Sequence, residues 1–103
     1  MQKNYCPNLK KIPLSTFFDA FSDPARIEII LLLLKKEETS CGKCNQNSLS
    51  KSTMSHHFIV LHEAGIIQRR EEGTVHHLSL RLEEIEARIP GFIGILKKIK
   101  GPF

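Results

Sequence analysis

The apolar residues in the N-terminal half of the chain are spaced as on two successive helices. The first helix should carry a stripe at positions i, i+3, i+4 and i+7, formed by Leu14, Phe17, Phe18 and Phe21. The second should begin after Asp23 as N-cap, with Pro24 at its first position, and turn inward Ile27, Ile30, Leu31 and Leu34. Because its other faces are also largely apolar, we expect this second helix to be surrounded by the rest of the protein.

Residues 49–65 show both ends of a further helix. The Ser50 hydroxyl can accept hydrogen bonds from the first free backbone amides, and Gly65 can adopt the left-handed conformation that ends a helix. In this phase one side carries Met54, Phe58 and Leu61, which we expect in the core. The other sides are short, polar and basic, which suits a helix entering the roughly 12 Å wide major groove of DNA. A face that is only solvated is the alternative.

Residues 66–80 predict a β-hairpin, because two short strand-like runs flank a polar turn containing Gly73. Arg69 and Arg70 fall on its first arm, where they could bind phosphates bidentately or enter a narrow minor groove. A helix that ends in glycine and leads directly into a hairpin has the layout of a winged helix. In that layout the helix reads the major groove and the hairpin reaches the flanking DNA.

The remaining segments complete the predicted fold. Residues 39–48 should form the first helix of a helix-turn-helix, short or irregular because residues 45–48 favour turns and caps. Residues 82–100 should form a last helix that Pro90 and Gly91 kink or divide, with its apolar face made of Leu82, Ile85, Ile89, Phe92, Leu96 and Ile99. We therefore predict a mainly α fold with a small β-hairpin, a winged helix-turn-helix in the order α-α-α-α-β-β-α. Residues 1–11 should be a flexible arm, and residues 12–100 a single domain that includes N- and C-terminal dimerisation helices.

Composition agrees with this interpretation without requiring it. The chain has 103 residues, a formal charge of +4 and a pI near 9.1, which favour one domain and a polyanionic partner. No stretch resembles a signal peptide, and the apolar run over residues 27–34 is too short to span a bilayer. We therefore expect a cytoplasmic protein with no membrane partner.

Four blocks of the sequence resemble the ArsR/SmtB-type winged helix-turn-helix repressors, in the right order and spacing. The blocks are residues 23–26 (Asp-Pro-Ala-Arg), 50–58, 61–67 and 69–74, within a resemblance that runs from about residue 17 to residue 80. It implies a small homodimeric repressor that binds a palindromic operator and leaves it when a metal, metalloid or oxidant alters the protein. The stretch before Leu49 departs from the pattern by about one missing residue.

The helix, the hairpin and the resemblance together give two sets of candidate residues. The partner in the first set is double-stranded DNA, and the expected contacts come from Lys51, Ser52, Thr53, Ser55, His56, Arg69, Arg70 and Thr74. The second set is a homodimer interface, since the two terminal helices carry more apolar surface than a small monomer should expose. Its expected members are Leu14, Phe17, Phe18, Phe21, Phe92, Leu96 and Ile99.

Cys41 and Cys44 are candidates for a metal site or a redox pair. Two thiols three positions apart could make the protein a metalloid or thiol-redox sensor. Arsenic-sensing relatives keep cysteines in this helix, but here both stand where relatives carry core aliphatics, and the familiar Cys-x-Cys spacing is absent. Packed, inert thiols are therefore the favoured interpretation, and no cofactor is expected. Cys6 could add a third thiolate in a dimer, although nothing around it requires this.

The histidines divide by their positions. His56 falls on the outer face of the reading helix, whereas His57 lies close to the apolar side and should be packed with one backbone hydrogen bond. His62, His76 and His77 could form a metal site between helix and hairpin. Neighbouring residues on a strand point to opposite faces, however, so His76 and His77 cannot easily ligate one ion.

Two further classes of function remain open at this point. One is a small thiol oxidoreductase, but its Cys-x-x-Cys pair should begin a helix directly after a buried strand, and we expect no strand before Cys41. The other is a winged-helix scaffold that binds protein instead of DNA. No nucleophile, base and orienting residue come together in sequence as for hydrolytic or transfer chemistry, so we do not expect an enzyme.

Overall fold

The computed structural model describes residues 7–45 and 49–103, and its first two α-helices are α1 (Leu14–Asp19) and α2 (Pro24–Lys35). The Asp23 carboxylate caps α2 by accepting a hydrogen bond from the backbone N–H of Ala25 at 2.8 Å, as predicted. The predicted inner face is right only for Ile30: Ile27, Leu31 and Leu34 are partly buried, and the other buried residues are Arg26, Ile29 and Leu33. A helix that is apolar on nearly every side does not reveal its rotation through periodicity.

The next helix, α3 (Lys51–Glu63), has the predicted bounds and phase. The Ser50 hydroxyl accepts a hydrogen bond from the backbone N–H of Thr53 at 3.2 Å, which caps the helix. The side that carries Met54, Phe58 and Leu61 is buried. Gly65 follows the helix with φ +78°, the left-handed conformation expected of it.

The predicted hairpin is present, but it belongs to a larger sheet. Strands β2 (Ile67–Glu72) and β3 (Val75–Leu80) are antiparallel, and a two-residue strand β1 (Thr39–Ser40) pairs with the other edge of β3, so the order is β1-β3-β2. The predicted helix does not form over residues 39–45, where β1 leads into a single 3-10 turn, Cys41–Cys44. The rest of that prediction, residues 46–48, lies outside the described residues.

Two interactions account for this difference. The free edge of β3 offers backbone groups that β1 satisfies, with Thr39 opposite Leu78. The Asn45 side chain then pairs with the backbone of Leu49, accepting from its N–H at 2.8 Å and donating to its carbonyl at 2.6 Å. In a helix interior the asparagine amide would compete with the backbone for hydrogen bonds, whereas here the backbone of Leu49 satisfies it.

The C-terminal segment forms two short helices, α4 (Leu82–Arg88) and α5 (Phe92–Leu96). Gly91 lies between them with φ +87°, so the predicted division at this point is confirmed. None of the helices in residues 7–45 and 49–103 is long and apolar enough to cross a membrane.

Aromatic rings join α1 to α5. The ring of Phe92 lies 5.7 Å from Phe17, 6.0 Å from Phe18 and 5.7 Å from Phe21, measured between centroids. Phe17 and Leu96 are almost completely buried within the single chain. These two residues therefore belong to the core and support the expected interface from below instead of lining it.

Of the arm predicted over residues 1–11, residues 1–6 lie outside the described residues, and residues 7–11 are held against the domain. Residues 7–11 pack against the domain: Leu9 is buried, and a short 3-10 helix spans Leu9–Lys11. The carbonyl of Pro7 accepts a hydrogen bond from Arg81 at 2.7 Å, and Arg88 donates to the carbonyls of Leu9 and Ile12. Two arginines far along the chain thus hold a segment whose own sequence is polar.

Candidate nucleic-acid interface

The N-terminal part of α3 presents a polar surface to solvent. Its five exposed residues are Lys51, Ser52, Thr53, Ser55 and His56, all of them in the candidate DNA-binding set. The Ser50 hydroxyl lies 2.8 Å from the Thr53 hydroxyl and 3.2 Å from that of Ser52. Because hydroxyl groups rotate and both donate and accept, this cluster can serve either the helix cap or a DNA group. The side chains are short enough to allow close approach of the helix to a groove floor.

Arg70 lies on β2 and is held by carboxylates. Its Nη2 and Nε donate to the two carboxylate oxygens of Glu38 at 2.6 and 3.0 Å, a bidentate pair, and Nη1 donates to Glu72 at 3.3 Å. Hydrogen bonding to Glu38 raises the pKa of Arg70, and the same contact holds the pKa of Glu38 below its usual range. The pair is exposed to solvent, so phosphate groups can compete for the guanidinium.

Arg69 points to the other face of the sheet and is more enclosed. Its Nη2 lies 3.4 Å from a carboxylate oxygen of Glu71, its Nη1 lies 3.4 Å from Nδ1 of His76, and its side chain is only 12% exposed. Thr74, in contrast, is exposed at the hairpin tip beside Gly73. The sequence predicted the same role for both arginines, but their exposure differs: Arg70 is accessible and paired with carboxylates, whereas Arg69 is largely covered.

Glu38 is a residue that sequence analysis missed. It lies in the short connection between α2 and β1, and its carboxylate also approaches Nδ1 of His77 to 3.8 Å. One of two adjacent glutamates in a charged loop carries no signal of this role. Only the pairing of β1 with β3 brings it opposite Arg70, which is 32 residues away.

His57 is packed, as predicted, but its partners are charged side chains instead of a backbone group. Nδ1 lies 3.3 Å from Nη1 of Arg26, and Nε2 lies 3.9 Å from the Asp23 carboxylate. Burial lowers the pKa of His57, with Asp23 opposing this effect and Arg26 and His56 adding to it. Arg26 could have been noticed in the sequence as one of the few charged residues in a mostly apolar helix.

The two cysteines of the 3-10 turn have the environment of packing residues. Cys44 is buried, and burial raises the pKa of its thiol to about 12, with Cys41 adding to the rise. Burial also raises the pKa of the half-buried Cys41, although the charge of Arg69 acts in the opposite direction. Since the thiolate is the reactive form, neither sulfur is activated in this state. Cys6, the third candidate thiol, lies outside the described residues.

The candidate metal sites do not assemble in the described part of the chain. His76 lies 3.8 Å from Glu71, whereas His77 lies 3.8 Å from Glu38 and from Glu72 on the opposite face of the sheet. His62 is buried at the end of α3. Over residues 7–45 and 49–103, no three histidine, cysteine, aspartate or glutamate side chains come together as a metal ion would need.

A short strand does precede Cys41, contrary to expectation, yet it does not support thiol oxidoreductase chemistry. That chemistry needs a buried strand of a βαβ unit leading into a helix that begins at the cysteine pair. Here β1 is a two-residue antiparallel edge strand, and it leads into one 3-10 turn. The raised pKa values of both thiols point the same way.

The capped polar helix, the hairpin after it and the helical core beneath them define a winged helix-turn-helix protein. Residues 23–69 match the family described as bacterial regulatory protein, arsR family. The HTH-type transcriptional regulator YceK of Bacillus subtilis is 38% identical over 84 residues, which are 77% of this chain and 81% of that protein.

Two further similarities agree with this match. The arsenical resistance operon repressor of Staphylococcus xylosus is 33% identical over 73 residues, 71% of this chain and 70% of the repressor. The solved structure of HlyU from Vibrio cholerae aligns with a TM-score of 0.67 at 26% identity, covering 81% of this chain and 86% of HlyU. The chain belongs to the arsR family of regulatory proteins. It is a DNA-binding transcriptional regulator and not an enzyme.

Proposed function

We propose that the protein is a homodimeric repressor that places one α3 helix of each subunit in successive major-groove faces of a palindromic operator. The observation that carries this proposal is the exposed, short and polar N-terminal surface of α3, capped by Ser50 and backed by a buried apolar side. Two-fold symmetry then requires half-sites about 34–36 Å apart along the duplex. Since its target is DNA, we place the protein in the cytoplasm.

Within this proposal the candidate residues have separate roles. Ser52, Ser55 and His56 face base edges or the phosphates beside them, with Lys51 and Thr53 near the helix N-terminus, where backbone amides also attract phosphate. The wing contributes Thr74 and Arg70 to the flanking backbone. Arg70 exchanges Glu38 for a phosphate on binding, whereas Arg69, whose side chain is largely covered, supports the wing.

The dimer interface is proposed on the exposed side of the aromatic cluster between α1 and α5. Leu14 and Phe18 are each 47% exposed, Ile95 is 60% exposed and Ile99 is 39% exposed, although all four are apolar. Phe18 contacts Phe92, which is half-buried, as is Phe21. Large apolar side chains concentrated on two neighbouring helices are typical of a surface that a second copy covers.

The test of the proposal is selection of duplexes from a random-sequence pool by the purified protein. We expect an enriched imperfect palindrome, bound by a dimer with an affinity at least about a thousandfold above that for a scrambled duplex of equal length. Failure to enrich any sequence, with binding that depends only on salt, would contradict a sequence-specific operator. Enrichment of a single asymmetric half-site would instead contradict the dimeric arrangement.

A further inference from the structure

The side chain of Arg26 connects three helices. Its Nε donates to the carbonyl of Ala20 at 2.9 Å, and its Nη2 lies 3.5 Å from the carbonyl of Asp19, so it reaches the two residues that end α1. Its Nη1 lies 3.3 Å from Nδ1 of His57 on α3. Arg26 is 8% exposed and His57 is 6% exposed, which makes this a buried polar connection. Buried groups of this kind are costly unless each finds a partner.

The chemistry of the connection fixes the protonation state of His57. A guanidinium group only donates hydrogen bonds, so Nδ1 of His57 has to accept and carry no proton. The proton of the neutral ring then lies on Nε2, which is directed toward Asp23 at 3.9 Å. The titratable and charged groups facing the imidazole are Asp23 and Arg26 from α2 and His56 on α3 itself.

We propose that Arg26 and His57 are positioning residues that set the orientation of α3 against α1 and α2, and that they do so only while His57 is neutral. This inference rests on the proposed function, since it concerns the helix that reads DNA. His57 lies directly beside His56 and one turn of helix after Thr53 and Met54, so a rotation of α3 that releases His57 also moves the polar surface facing the groove.

Low pH should weaken the contact between Arg26 and His57. Protonation of His57 removes the acceptor at Nδ1 and places a second positive charge 3.3 Å from Arg26, and the Asp23 carboxylate offsets only part of the repulsion. The pKa of His57 is lowered in the fold, so the unfolded chain takes up the proton first. The stabilisation is therefore complete above the ordinary histidine value of about 6.5 and is lost as the pH falls from there through the folded-state pKa.

A matched pair of variants tests the proposal. His57→Gln keeps an oxygen that can accept from Arg26 and cannot be protonated near neutral pH, whereas His57→Leu leaves Arg26 without that acceptor. Binding is measured by fluorescence anisotropy to a duplex that the wild-type protein selects and to a scrambled duplex. We expect H57Q to bind the selected duplex within about threefold of wild type, and H57L to lose about tenfold or more, as an unpaired buried donor predicts.

The ratio of the affinities for the selected and the scrambled duplex distinguishes a misplaced α3 from a loss of folded protein. A general loss of stability lowers binding to both duplexes alike, whereas a misplaced α3 lowers the ratio because phosphate contacts tolerate small displacements. Wild-type affinity for the selected duplex should also fall between pH 7.5 and 5.5 more steeply than that of H57Q. An unchanged ratio in H57L, or equal pH dependence in wild type and H57Q, overturns the proposal.

A second measurement needs neither variants nor DNA. Long-range nitrogen–proton NMR correlation on the wild-type protein at pH 7.5 should show His57 as the neutral ring protonated at Nε2, with Nδ1 accepting a hydrogen bond. A proton on Nδ1, or an imidazolium ring, overturns the inference. If the wild-type protein selects no duplex, the proposed function fails, and this NMR result together with pH-dependent unfolding of wild type and H57Q still decides the role of Arg26 and His57.

Discussion

At the scale of single residues, the availability of positive charge on the hairpin depends on how its arginines are paired more than on how many there are. Arg70 is the accessible arginine of the hairpin, yet it is shared between Glu38 and Glu72. In free solution such an exposed pair contributes little to stability. Near DNA it matters more, because the carboxylate of Glu38 both occupies Arg70 and repels phosphates.

This arrangement makes Glu38→Gln a variant expected to strengthen DNA binding. Removing the carboxylate frees Arg70 for phosphate, so binding should tighten severalfold and the salt dependence should steepen, by up to about 0.9 log unit of affinity per log unit of salt for one added contact. Salt titrations on one duplex give both quantities. The matched control is Glu37→Gln, which makes the same charge change at an exposed neighbouring position. Equal changes in affinity and salt dependence for the two substitutions would show that only the net charge of the protein matters.

At the scale of elements, the passage from α3 to β2 depends on one glycine. Gly65 has φ +78°, and a Cβ atom built there would lie 2.8 Å from the Cδ1 atoms of both Ile12 and Leu9. The end of α3 is thus packed against the N-terminal segment, which Arg81 and Arg88 hold in place. Position 65 requires a left-handed backbone conformation and leaves no room for a Cβ atom. Glycine is the residue that meets both requirements without strain.

Gly65→Ala should therefore lower the free energy of unfolding by about 1–3 kcal/mol. Urea unfolding followed by circular dichroism measures the change. Gly42→Ala is the matched control, because a Cβ at Gly42 would meet nothing within 4 Å, and it should stay within about 0.5 kcal/mol of the unmodified protein. A G65A protein as stable as G42A would mean that the N-terminal segment is not packed against this turn.

At the scale of the whole molecule, the exposed apolar side chains of α1 and α5 bear on assembly. Phe18 contacts Phe92 across the two helices and is still 47% exposed. A monomer would leave this surface in water, while a second copy would bury it at about 25 cal/mol per Å² of apolar area. The same helix α1 ends at carbonyls to which Arg26 donates, and Arg26 also contacts His57 on α3, so the proposed interface and α3 are joined through one side chain.

Phe18→Asp should convert the proposed dimer into monomers or aggregates, because it would bury an unpaired charge in the interface. Sedimentation equilibrium at micromolar concentration measures the mass, and circular dichroism shows whether the chain remains folded. Thr16→Asp, at an exposed position on the opposite side of the same helix, is the control and should leave the mass unchanged. A folded F18D protein that is still dimeric, or a wild-type monomer, would contradict the proposed interface.

The sequence by itself determined the features that depend on neighbouring residues. Ser50 and Gly65 mark the ends of α3, Asp23 caps α2, and the turn at Gly73 joins the two strands of the hairpin, all through contacts within a few positions. Such signals survive without knowledge of the fold, because each cap or turn is satisfied locally. The exposure of the polar face of α3 followed from the same local phase.

Only the tertiary structure decided the features that join distant parts of the chain. One is the rotation of α2, which its neighbours set. The others are contacts between residues about thirty positions or more apart: β1 with β3, Glu38 with Arg70, and Arg26 with His57. An apolar helix has no preferred side until its neighbours are placed, and a charged residue has no assigned partner until the chain brings one near. Packing and partner choice therefore depend on the whole fold, while caps, turns and helix phase are encoded where they occur.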